Sequence, residues 1–84
     1  MKVNVRLLGW LREFLREDIE QFEERELEVA DDATVGGLAD HLGFRTETDF
    51  MVMHNGHHVP NEALDSTPIA DGDTVVFVPP LKGG

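Results

Sequence analysis

No cysteine occurs anywhere in the 84 residues. That absence excludes a disulfide scaffold, a cysteine-ligated zinc site and a thiol nucleophile. Basic residues are scarce, with seven Lys and Arg against seventeen Asp and Glu and a formal net charge of −10. Nucleic-acid binding needs a basic stripe, and this surface would repel phosphates, so no nucleic-acid partner is expected. No apolar run approaches the roughly 18 residues of a membrane span. The opening Met1-Lys2-Val3-Asn4 lacks the apolar stretch of a signal peptide. A chain this short fits a single domain, buries about 60–65% of its unfolded surface, and has no room for a deep interdomain cleft. The expectation is a soluble, cytoplasmic, acidic mini-domain, with no membrane partner.

The residues present alternate in ways that predict a mixed α and β fold. Val3, Val5 and Leu7 face one way and Lys2, Asn4, Arg6 and Leu8 the other, the period of a half-buried strand. Gly9 punctuates it, and Trp10, Leu11, Phe14 and Leu15 then fit a short amphipathic helix over 10–17. The stretch from Asp18 to Glu28 is acidic, with a half-buried strand expected around Leu27 and Val29, beginning near Phe22. Asp31-Asp32-Ala33-Thr34 is a helix start, read as capping by Thr34 and the two aspartates. Val35, Leu38, Ala39 and Leu42 follow at helical spacing, and Gly43 supplies a C-cap. Gly36 and Gly37 weaken that helix by up to about 1 kcal/mol each, so packing must hold it. Phe50 to His54 and His57 to Val59 flank Asn55-Gly56, a strong hairpin signal. Asn61 to Ala70 reads as loop or a short helical turn, Asp71-Gly72-Asp73 as a tight turn, and Thr74 to Val78 as a last strand. One helix across a four- or five-stranded mixed sheet accounts for this order, an α+β architecture over residues 1–84.

The end of the chain carries the chemistry. Pro79 and Pro80 fix φ and remove hydrogen-bond donors, so the sheet stops and residues 79–84 leave as a flexible tail. Gly83 and Gly84 lack side chains, which suits a terminal carboxylate threading a channel too narrow for a Cβ. Ordering such residues costs about 1–2 kcal/mol each, so a partner must grip the tail, with Leu81 as an apolar anchor.

The run from Pro68 through Asp71-Gly72-Asp73-Thr74-Val75-Val76-Phe77-Val78-Pro79-Pro80-Leu81-Lys82-Gly83-Gly84 resembles the C-terminal signature of the ubiquitin-like MoaD/ThiS sulfur carriers. Arg12-Glu13-Phe14, Ala33-Thr34-Val35 and Asn55-Gly56 extend the likeness over essentially the whole chain, most nearly to the small subunit of molybdopterin synthase. The resemblance implies a β-grasp fold and a carrier rather than an enzyme. A MoeB/ThiF-like activating partner would adenylate the Gly84 carboxylate with ATP, and persulfide sulfur would displace AMP to leave a thiocarboxylate. The tail would then enter a MoaE-like large subunit and give sulfur to a pterin precursor. By family position Leu8, His58, Val78 and Leu81 would form an apolar docking patch, joined by Val76, Pro79, Pro80 and Lys82. No permanently bound cofactor is implied. Compared with molybdopterin synthase subunits, residues 15–28 are longer and more acidic, and Lys82 replaces a small residue. The ending Leu-Lys-Gly-Gly is nearer some archaeal modifier proteins. Thiamine thiazole synthesis, tungsten-cofactor assembly, another sulfur-transfer pathway, or conjugation to proteins through Gly84 are the alternatives.

Other candidates are weaker. His54, His57 and His58 bracket the hairpin turn, but without a carboxylate or cysteine at ligand spacing no metal site is expected. Asp71 and Asp73 are expected to serve the backbone of their turn, and Glu20 to Glu28 to form a solvated face that steers a basic partner.

Overall fold

A computed structural model describes residues 1–8, 25–43, 45 and 49–79 of the chain. The short helix expected over 10–17 and the strand start near Phe22 lie outside those residues. Strands β1 (Lys2–Leu7), β2 (Arg25–Glu28), β3 (Met51–His54), β4 (His57–Val59) and β5 (Thr74–Val78) form one sheet in the order β2-β1-β5-β3-β4. β1 and β5 run parallel at its centre, with Val5 beside Val75 and Leu7 beside Phe77. All other pairings are antiparallel. The β3–β4 hairpin turns at Asn55 and Gly56, both with positive φ, as the Asn-Gly signal requires.

Helix α1 (Val35–Leu42) covers one face of this sheet. Val3, Val5, Val52, Val75 and Phe77 are all at most 1% exposed and meet Val35, Leu38 and Ala39 from the helix. A 3-10 helix (Asn61–Ser66) contributes Leu64 to the same core. The arrangement is a β-grasp.

Thr34 is the N-cap of α1: the Gly37 N–H donates to its Oγ1 at 3.1 Å. The reading of Asp31 and Asp32 as caps is corrected, because the first turn holds no acidic residue and Asp31 instead lies 3.2 Å from the Met1 amine. A hydroxyl one residue before the helix reaches the free amides, whereas the aspartates sit in a turn that precedes it. Gly43 ends the helix at φ 93°, donating to the Ala39 and Asp40 carbonyls.

Packing explains Gly36. Arg45 grips Asp65 through two bonds of 2.7 and 2.8 Å and Asp40 through a third of 3.0 Å, clamping α1 to the 3-10 helix. The clamp passes directly over Gly36, where a Cβ would overlap Asp65 Oδ1. Its hydrogen bonds raise the Arg45 pKa and hold the Asp65 carboxyl below the usual range.

Candidate docking face and tail

Burial of Val3, Val5 and Leu7 against α1 turns Asn4, Arg6 and Leu8 to the opposite face of the sheet, which is open among the described residues. On β5 the same alternation buries Val75 and Phe77 and leaves Val76 and Val78 half-buried on the open face. Leu8 continues β1 beside Val78, its N–H donating to the Phe77 carbonyl at 3.0 Å. His58 is exposed on β4 and pairs with Met53. Pro79 follows β5 and is half-buried. Leu8, Val76, Val78 and Pro79 are thereby gathered at one end of the open face, with His58 two strands away. Pro80, Leu81, Lys82, Gly83 and Gly84 lie outside the described residues.

Sequence reasoning missed Met51 and Met53. Every residue from Phe50 to Met53 is apolar, so composition gives no face; register does. Val52 pairs with Phe77 and is buried, which places Met51 opposite Val78 and Met53 opposite Val76 on the open side.

At the other end of β5 a polar lock fixes the strand's start. Asp73 accepts the Ala70 N–H at 2.8 Å, and its Oδ2 lies 2.7 Å from His54 Nε2. Asn55 accepts the Thr74 N–H at 2.8 Å and returns its own N–H to the Thr74 carbonyl. Asp71 accepts the Lys2 N–H at 2.7 Å. Both aspartates thus serve the backbone, as their turn implies. His54 does have a carboxylate neighbour, nineteen residues away and invisible to local spacing. Among the described residues no cluster of three or more metal-ligating side chains occurs.

The Ala70 amide, then the Asn55 amide and His54, lower the Asp73 pKa from 3.8 to about 2. A depressed carboxylate pKa contributes stability above the ordinary value and loses it as pH falls through the folded one. Unfolding free energy is therefore expected to drop between about pH 4 and pH 2. Urea titrations across that window check this, and Asp73→Asn should flatten the drop. An equal drop in the variant would assign it to other carboxylates.

The ThiS family model matches residues 5–84, nearly the whole chain and the tail with it. The chain belongs to the ThiS family. Among solved structures it is similar to the Haloferax volcanii HVO 2177 protein, at 29% identity and TM-score 0.74, covering all of this chain and 87% of that one. A chain in the complex of subunits 1 and 2 of the molybdopterin-converting factor from Helicobacter pylori 26695 is 26% identical, TM-score 0.61, with both chains covered fully. The thiamine biosynthesis protein ThiS from Geobacter metallireducens is 25% identical, TM-score 0.62, covering 96% of this chain and 99% of that one. No curated protein matches. Membership makes the chain a ubiquitin-like protein of the sulfur-carrier type. No described helix is long and apolar enough to cross a membrane.

Proposed function

We propose that the chain carries sulfur as a thiocarboxylate on Gly84 and donates it in molybdopterin synthesis. The family match extending through residue 84 is the observation that carries this reading. A carboxylate is a poor electrophile at neutral pH. Adenylation by an ATP-using, MoeB/ThiF-like enzyme supplies AMP as a leaving group, and a persulfide sulfur then attacks the carbonyl. A second thiol cleaves the resulting S–S bond and leaves the thiocarboxylate. The chain itself supplies no catalytic side chain; it presents the tail, and Gly83 and Gly84 keep that tail slender. The open face beside Pro79 is the surface on which an activating enzyme and a MoaE-like large subunit would dock, with Leu81 and Lys82 entering the partner's groove.

The Phe77-Val78-Pro79-Pro80 run supports the molybdopterin pathway, and so does the 26% identical relative solved as a complex of two converting-factor subunits. Thiazole synthesis is the second reading, favoured by the 25% identical ThiS relative. Intact-mass measurement on protein from its native cells tests the carrier chemistry: one oxygen exchanged for one sulfur at the last residue is the expected result. Isopeptide-linked adducts without that exchange would assign the chain to protein modification instead. Addition of purified acceptor enzymes to the sulfurated protein then separates the pathways.

A further inference from the structure

Met51 is the one large hydrophobic side chain among the described residues that stands exposed, at 49%. It is not isolated. Leu8, Val78 and Met51 form a row across β1, β5 and β3 at the end where Pro79 leaves the sheet, and Arg6, Val76 and Met53 form the row behind it, so the one charge set among these side chains is a cation. Grouped apolar side chains on an open sheet mark an interface, and unbranched thioethers fill irregular partner surfaces well. The far end of the same face differs in kind. Glu26 and Glu28 of β2 pair with Asn4 and Lys2 of β1, and Lys2 Nζ lies 3.7 Å from Glu26 Oε1. The two carboxylates lie roughly 13–20 Å along β1 from the apolar row, at about 3.3 Å per residue.

We propose that Met51 and Met53 are contact residues for the sulfur acceptor, whose matching surface carries an apolar strip over β5 and β3 and basic side chains over β2. This rests on the carrier reading above, and it adds the part of the surface and the orientation that reading leaves open. The protein that takes the tail must lie over the end of the sheet where the tail begins, and that end is the apolar one. A partner turned through 180° would set its apolar strip against Glu26 and Glu28 and its cations against Leu8, Val78 and Met51. Desolvating those carboxylates without counterions disfavours the turned pose, so the charge gradient selects one docking direction. With a net charge of −10, a cationic rim also speeds encounter.

The test uses the full chain and the purified large subunit of the molybdopterin synthase from the same organism, with kinetics recorded at several salt concentrations. Met51→Gln with Met53→Gln is expected to weaken binding about tenfold or more, mostly through faster dissociation, while Met51→Leu with Met53→Leu stays within about threefold. Glu26→Gln with Glu28→Gln is expected to slow association and flatten its salt dependence. Thermal melts check the fold of each variant, and Met51→Gln alone serves if the half-buried Met53 position does not tolerate glutamine. Binding of the Gln variants at wild-type strength overturns the methionine contacts. An unchanged salt slope in the glutamate variant overturns the orientation. No binding by the wild-type chain overturns the molybdopterin reading itself, a different outcome from either.

Discussion

Deleting Gly83 and Gly84 is expected to abolish adenylation and thiocarboxylation while leaving the melting temperature within a few degrees of the full chain. β5 ends at Val78, so the deleted residues lie beyond every described strand pairing. Their loss moves the terminal carboxylate back by up to about 7 Å of extended chain. A displacement of only about 1 Å from a reactive geometry costs on the order of 100-fold in rate, so the activating enzyme's signal should fall to background. The new terminus would also be Lys82, whose long side chain broadens an end that two glycines had kept thin. ATP–pyrophosphate exchange with the activating enzyme measures the first step, and intact mass measures the product. Exchange at the full-length rate would show that adenylation does not depend on Gly83 and Gly84, and would overturn their assigned role.

Phe77→Ala has the largest expected effect on stability. Phe77 is fully buried in the central strand, flanked by Leu7 and Val52 in register. Its ring meets that of Phe50 edge-on, with centroids 5.6 Å apart and planes at 72°. Truncating such a side chain costs about 3–5 kcal/mol. A domain of this size holds only roughly 4–12 kcal/mol in total. The melting temperature should therefore fall by roughly 12–40 °C, at about 4–8 °C per kcal/mol. Circular dichroism melts measure it. Val76→Ala, one residue earlier on the open face, provides the contrast and should shift the melt far less. Equal losses at 76 and 77 would mean that the alternation of β5 does not decide which side is core.

Much of this fold can be read from local signals because local chemistry determines it. Asn55-Gly56 demands two positive φ angles and yields the hairpin; Thr34 and Gly43 bracket α1; Val3, Val5 and Leu7 declare the buried face of β1. What escapes local reading depends on residues brought together from afar. Parallel pairing of β1 with β5 joins the first and last strands and leaves no periodic trace in either. His54 meets Asp73 across nineteen residues, and Arg45 meets Asp65 across twenty. Asp31 and Asp32 satisfy a local capping pattern, yet the Thr34 hydroxyl makes the cap and Asp31 turns to the Met1 amine. The proposed docking patch is legible as far as Leu8, Val76 and Val78, where alternation against a known core residue assigns the face. It fails at Met51 and Met53, where only the register of β3 against β5 decides.

The position of β5 also governs how the chain responds to force. A machine that pulls on the end following Val78 draws on a strand hydrogen-bonded on both sides, to β1 and to β3. Those two ladders lie along the strand, so they resist sliding together instead of opening one bond at a time. Pulling from β4, an edge strand of three residues held by β3 alone, peels a single ladder. The end that follows β5 is thus the mechanically stiff one, and a pull applied there meets two ladders before the sheet opens.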